Sequence, residues 1–275
     1  MRFLLSPNEL RSLLGDPRLV LFDIRSRAGR GAYEAGHIPG ARYVSLKDDV
    51  TGVRTGSNGR NPMPELPDFA KKMREFGVSG SSLVVVYDEG RPAFAARLWF
   101  ELRAVGFAGV RVLDGGFAAW EKAGFPVTKE EPSPAAPGDF TVKAPLERVV
   151  TVEEVERNLP EQKFLLVDSR PADRYHGIGE KEDPVAGHIP GSVSCPVSTG
   201  YGPGGRILPR DALQKAFVPV ERTAAGRPVV NSCGSGIAAS ATQLAMREAG
   251  LSPAGVYVGS WSEWSSDVSR PVERG

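Results

Sequence analysis

Cys233 stands where an apolar run, Pro228-Val-Val-Asn-Ser-Cys, meets Gly234-Ser235-Gly236 and a helical pattern that starts at Ile237. A strand, a tight glycine turn and a helix start, in that order, aim consecutive backbone N–H groups and the positive end of a helix at one side chain. Negative charge on the Cys233 sulfur is favoured there, and the thiolate is the nucleophilic form of cysteine. Gly234, Gly236, Ile237 and Ala238 supply amides for a bound anion, and Ser235 adds a hydroxyl donor. The competing reading of such a residue is a thiol packed as a small apolar side chain. Cys195, in Gly-Ser-Val-Ser-Cys-Pro-Val with no glycine cradle, fits that second description.

The elements that must position this loop occur twice. Ala-Gly-His-Ile-Pro-Gly is found at residues 35–40 and again at 186–191, and each copy follows an apolar run, 19–25 and 164–170. A second pair of runs, 83–88 and 228–233, has the continuous apolar character of parallel strands buried on both faces. Leu-Asp-Gly-Gly-Phe-Ala-Ala-Trp at 113–120 answers Tyr-Val-Gly-Ser-Trp-Ser-Glu-Trp at 257–264. Helical patterns over 66–76, 93–105, 209–217 and 237–249 alternate with the strands, which predicts α/β layers: tandem duplicated domains, each a small parallel sheet flanked by helices. The stretch 128–149, with prolines at 132, 134, 137 and 145, has neither hydrophobic period and reads as a linker between domains 1–127 and 150–275.

Duplication separates architecture from chemistry. Asp23-x-Arg25 and Asp168-x-Arg170 occupy equivalent places and read as ion pairs at strand ends, and the two His-Ile-Pro turns read as backbone anchors. Two readings stand for His37, as a turn anchor or as a group facing the other domain's loop. Asp88 takes the place of Cys233 in the first half, in Asp-Glu-Gly-Arg-Pro, a loop without the glycine pattern; that half is expected to be catalytically silent. Arg174 has no counterpart beside Tyr33, where Ala32 stands. An unmatched arginine suits a small anionic substrate, because its planar fork makes two parallel hydrogen bonds to a carboxylate or sulfonate, although a solvated surface role is the alternative.

Composition bounds the partners. In 275 residues, 34 Lys and Arg nearly balance 33 Asp and Glu, so no basic groove for nucleic acid and no membrane-binding face is expected. No stretch reaches the length of a membrane span, and the apolar start Met-Arg-Phe-Leu-Leu is too short for a secretory signal, so a cytoplasmic location is expected. The two cysteines have no metal-ligand or disulfide-framework spacing, and neither metal nor organic cofactor is expected.

The repeated Gly-His-Ile-Pro-Gly, the segments 113–120 and 259–264 and the cysteine loop together resemble the two-domain rhodanese-like sulfurtransferases, which include thiosulfate and 3-mercaptopyruvate sulfurtransferases. The resemblance implies that a Cys233 thiolate takes the sulfane sulfur of a donor and passes it, through a persulfide, to cyanide or a thiol. It also implies a relay between Ser235 and His37. Cys-Gly-Ser-Gly is similar to the mercaptopyruvate branch, whereas thiosulfate enzymes carry Cys-Arg-Lys-Gly; yet the second arginine of the mercaptopyruvate branch is missing, since residues 175–187 contain only Lys181. Both donors therefore remain open. Rhodanese-like phosphatases and arsenate reductases carry Cys-x5-Arg, and the sixth residue after Cys233 is Ala239, which argues against that chemistry. A non-catalytic persulfide sensor or binding module is the remaining alternative, and the intact loop weighs against it.

Overall fold

The computed structural model describes residues 2–25, 29–90 and 93–275. Arg91 and Pro92, part of the sequence argument about the first-half loop, lie outside the described residues, as does Met1 of the N-terminal run. Two compact units are resolved, and their borders do not follow chain order. Unit 1 comprises 1–52, 63–147 and 202–207; unit 2 comprises 53–62, 148–201 and 208–275.

Unit 1 runs β1 (Leu4–Leu5), α1 (Pro7–Leu13), β2 (Leu19–Asp23), α2 (Gly29–Ala35), β3 (Ala41–Tyr43), α3 (Leu46–Asp49), α4 (Leu66–Glu75), β4 (Leu83–Tyr87), α5 (Ala93–Ala104), β5 (Val110–Leu113) and α6 (Gly116–Lys122). Unit 2 repeats the plan with β6 (Val149–Val150), α7 (Val152–Glu161), β7 (Leu165–Asp168), α8 (Ala172–Tyr175), β8 (Val193–Ser194), α9 (Arg210–Ala224), β9 (Val229–Ser232), α10 (Ile237–Ala249), β10 (Gly255–Tyr257) and α11 (Ser260–Trp264). Every strand pair is parallel, in the orders β1-β5-β4-β2-β3 and β6-β10-β9-β7-β8. The expected α/β duplication is therefore present.

Burial explains why the central strands read so clearly from the sequence. Val84, Val85, Val86 and Tyr87 of β4 and Val230 of β9 are fully buried, because helices cover both sheet faces and favour apolar residues at most positions; the buried Asn231 of β9 donates its side-chain amide to Gln243 at 2.7 Å. Each sheet begins with a helix closed by a capping box, Ser6 with Glu9 and Thr151 with Glu154, which satisfies amide donors the first turn would leave free. Helix α9 extends seven residues beyond the expected end at Phe217 and carries Pro219 inside it. The proline-rich stretch expected to be a linker packs along unit 1: Thr128 bridges His37, and buried Phe140 meets the rings of Phe69 and Phe107.

Candidate active site

Register places Cys233 where the sequence put it. Asp23 pairs with Tyr87 and Asp168 pairs with Ser232, so Asp88 and Cys233 each follow the equivalent last residue of a central strand. Glycine turns the chain at this point: Gly236, with φ +79°, caps α10 and sends its own N–H back to the Cys233 sulfur at 3.1 Å. That orientation needs positive φ, which costs glycine nothing. Cys233 is buried, at 3% exposure. Ile237 and Ala238 open α10 and are half-buried, so their free first-turn amides lie at the same helix end. Ser235 is half-buried, and among the described residues its hydroxyl has no hydrogen-bond partner.

Ser260 is the contributor that sequence reading missed. Its hydroxyl accepts from the amides of Cys233 and Gly236, both at 3.1 Å, and donates to the Tyr257 carbonyl at 2.7 Å. The main chain at Ser260 has φ +55°, a left-handed conformation that costs a non-glycine residue on the order of 1–2 kcal/mol. The equivalent position in unit 1 is Gly116, with φ +58°. The remainder of the turn is shared, because Phe117 N–H donates to the Asp88 carbonyl as Trp261 N–H donates to that of Cys233. A serine aligned with the second glycine of Asp-Gly-Gly-Phe was the available signal.

In unit 1 the position of Cys233 is taken by Asp88, whose carboxylate fills the turn. Two described amides turn toward it: the Asp88 carboxylate accepts from Gly90 N at 3.0 Å and from Ala95 N, at the start of α5, at 3.2 Å. A carboxylate thus sits where unit 2 offers a sulfur.

Both Asp-x-Arg motifs are buried bidentate ion pairs that brace the histidine turns. Arg25 holds Asp23 at 2.6 Å and the Gly36 carbonyl at 2.7 Å; Arg170 holds Asp168 at 2.7 Å and the Gly187 carbonyl at 2.8 Å. Each guanidinium also lies over an aromatic ring, Phe117 and Trp261 respectively. His37 follows the same logic. Its ring is fully buried, stacks on Tyr33 at 3.8 Å, and places Nδ1 2.8 Å from the Tyr33 carbonyl and Nε2 3.2 Å from that of Glu130. His188 repeats this with Tyr175, stacked at 3.8 Å with Nδ1 2.9 Å from its carbonyl. The shared geometry, a ring stacked on a tyrosine with Nδ1 at its carbonyl, makes a turn anchor of each histidine.

Arg174 is close to the cysteine loop but already paired. A Cβ at Gly234 would stand 3.8 Å from Arg174 Nη1 and only 3.0 Å from Nη2 of Arg60, an arginine drawn from segment 53–62. Arg174 contacts Glu180 at 2.8 Å, Asp183 at 3.2 Å and Glu182 at 3.3 Å; Arg60 pairs with Asp183 and, at 3.0 Å, with Glu182. Burial pushes the Asp183 carboxyl up, against the pull of Arg60. Burial acts upward on Glu180 too, yet its hydrogen bonds from the Glu182 amide and Arg174 outweigh that and hold it below the usual range. Burial likewise pushes the Cys195 thiol up, which suits its reading as a packed residue. Among the described residues no group of three or more His, Cys, Asp or Glu side chains could hold a metal ion, and no helix is long and apolar enough to cross a membrane.

Comparison with known proteins agrees with the duplicated fold. The model of the rhodanese-like domain matches twice, at residues 6–123 and 151–267. A Pseudomonas aeruginosa protein named "Probable 3-mercaptopyruvate sulfurtransferase" is 38% identical over 282 residues, covering 99% of this chain and 98% of its own length. The chicken (Gallus gallus) thiosulfate sulfurtransferase is 35% identical over 243 residues, 86% of this chain and 81% of that one. The solved structure of an Escherichia coli 3-mercaptopyruvate sulfotransferase superposes with a TM-score of 0.83 at 27% identity, over 95% of this chain and 99% of its own.

Proposed function

Because the chain belongs to the rhodanese-like family and is a sulfurtransferase, we propose that Cys233 is its sulfur carrier and that 3-mercaptopyruvate is its preferred donor. The observation that carries the first half is the Gly236 N–H pointed at the Cys233 sulfur from the start of α10. An anion-favouring cradle serves the thiolate and the persulfide alike, so one set of donors stabilises both ends of the reaction.

In this reading the Cys233 thiolate attacks the donor thiol sulfur. An S–S bond forms, the S–C bond breaks, its electrons pass to the carbon as an enolate, and the donor's thiol proton ends on that carbon to give pyruvate. Cys233 is left as an anionic persulfide, whose outer sulfur moves to a thiol or to cyanide. In this reading Ser235, half-buried in the loop after Cys233, donates its hydroxyl to the donor or to the outer sulfur. Two free thiols, Cys195 and Cys233, suit the reducing conditions of a cytoplasmic setting.

Charge supports the donor assignment. Three arginines around the loop, Arg60, Arg170 and Arg174, face four carboxylates, Asp168, Glu180, Glu182 and Asp183. The local sum, three positive against four negative, disfavours the dianion thiosulfate more than the monoanion 3-mercaptopyruvate. Steady-state turnover with each donor at equal concentration tests this. Higher kcat/KM for 3-mercaptopyruvate is expected, and a preference for thiosulfate would overturn the assignment.

A further inference from the structure

We propose that Arg60 is a substrate-binding residue: with Arg174 it forms a two-guanidinium clamp for the anionic end of the donor, which the carboxylates of Glu182 and Asp183 fill until a donor replaces them. This rests on the reading of Cys233 as the reactive thiol. It supplies a second cation for a segment, 175–187, in which the sequence offers only Lys181.

Four observations converge. The Arg60 main chain is fixed, since its N–H donates to the Ser262 hydroxyl at 3.0 Å and Gly59 is pressed against Gly259, where a Cβ would stand 2.8 Å from the carbonyl oxygen. Its guanidinium then reaches the position beside Cys233, because the nearest heavy atom to a Cβ built on Gly234 is Arg60 Nη2. Each of two carboxylates, Glu182 and Asp183, bridges Arg60 and Arg174, so the pair already presents the geometry that holds a carboxylate. Finally, Arg60, Glu182 and Asp183 line a cleft of about 370 Å³ together with Arg54, Ser262 and Ser266, so Arg60 and the acids that bridge it border open space.

The duplication sharpens the point. Gly205-Arg206 repeats Gly59-Arg60 in the other half, and each dipeptide is lent to the opposite unit. The architecture thus delivers an arginine to both. In unit 1, however, Arg206 lays its stem on Gly115, with Cγ 3.0 Å from the place of a Cβ there. In unit 2 the guanidinium itself lies over the loop that carries the cysteine.

Glu182 is 60% exposed in its side chain, whereas Asp183 is 2% exposed. An exposed carboxylate is held weakly and gives way first to a competing anion. The bridging acids therefore tune the clamp toward donors that bind more tightly than a solvated glutamate.

The test compares alkylation of Cys233 in the whole chain by iodoacetate and by its neutral isostere iodoacetamide. In both reagents the thiolate forms a C–S bond, the C–I bond breaks and iodide leaves; only the carboxylate differs. Arg60→Ala and Arg60→Gln are expected to lower the iodoacetate-to-iodoacetamide rate ratio about tenfold with little change in the iodoacetamide rate, and Arg60→Lys to restore part of it. Glu182→Gln, on an exposed side chain, is expected to raise the ratio. An unchanged ratio in the Arg60 variants, or rates for both reagents that fall together, would overturn the clamp. Should those variants fail to fold, an unchanged or lower ratio in Glu182→Gln would do so. Failure of the wild type to turn over any sulfane donor would instead sink the sulfur-carrier reading while leaving the ratio interpretable.

Discussion

Ser260 Oγ lies 3.9 Å from the Cys233 sulfur and ties down the two amides, those of Cys233 and Gly236, that frame it. The hydroxyl has one hydrogen, and the Tyr257 carbonyl at 2.7 Å takes it, so Ser260 acts on the loop chiefly as an acceptor. Ser260→Ala removes the hydroxyl that accepts from the Cys233 amide and leaves the Gly236 amide with the Cys233 sulfur alone, and should cost about 1–3 kcal/mol of stability. Ser260→Gly loses the same bonds but relieves the left-handed strain, so it should be more stable than the alanine variant by about 1 kcal/mol. Denaturant titration of the pair decides this; equal stabilities would mean that the φ of +55° carries no strain.

Asp88→Ala should destabilise the protein by about 1–2 kcal/mol, because the Asp88 carboxylate satisfies Gly90 N and Ala95 N at the entrance to α5. Thermal unfolding measures this directly. Asp88→Asn, which keeps one acceptor, should lie between wild type and Ala, and a neutral Ala variant would contradict the account of a filled cradle.

How much of this was legible beforehand depended on whether a residue's role was local. The strands showed because burial on both faces demands continuous apolar runs, and Cys233 showed because its cradle is contiguous in the chain. The two-residue strands Leu4–Leu5 and Val149–Val150 are too short to display a period. The exchanged segments 53–62 and 202–207 have none, so nothing in the local pattern announced that Arg60 would reach Gly234. Arg174 was visible as an arginine without a twin, but its partners Glu180, Glu182 and Asp183 show no period or motif and were not singled out. Repeated motifs served best as a control: the pairs Arg25–Asp23 and Arg170–Asp168 were read as structural and are so.

The histidine turns give a paired test. His37→Gln and His188→Gln each remove a ring stacked on a tyrosine and a contact to its carbonyl, and both should lower the melting temperature. His37→Gln should leave kcat within about threefold of wild type, since loss of a proton relay would cost on the order of a hundredfold or more. A fall of that larger size at unchanged stability would restore His37 to the catalytic machinery.

Glu101 offers a pH signature. It is fully buried on α5 beside Arg97, and burial raises its carboxyl from 4.5 to about 7 despite that arginine. The folded state therefore binds more protons than the unfolded chain between these values, so this group's contribution is present at low pH and is lost as pH rises from about 4.5 to about 7. Glu101→Gln should flatten that part of the stability–pH curve. A wild-type curve with no fall in this window that Glu101→Gln removes would contradict it.

The most direct test is to locate the transferred sulfur. Wild-type protein is treated with one equivalent of 3-mercaptopyruvate, and its peptides are weighed after trapping. The account predicts one added sulfur on the peptide carrying Cys233 and none on Cys195, whose thiol is buried and pushed up. Pyruvate should be released in equal amount, and Cys233→Ser should show neither product. Sulfur on Cys195, or turnover that survives Cys233→Ser, would contradict the central claim.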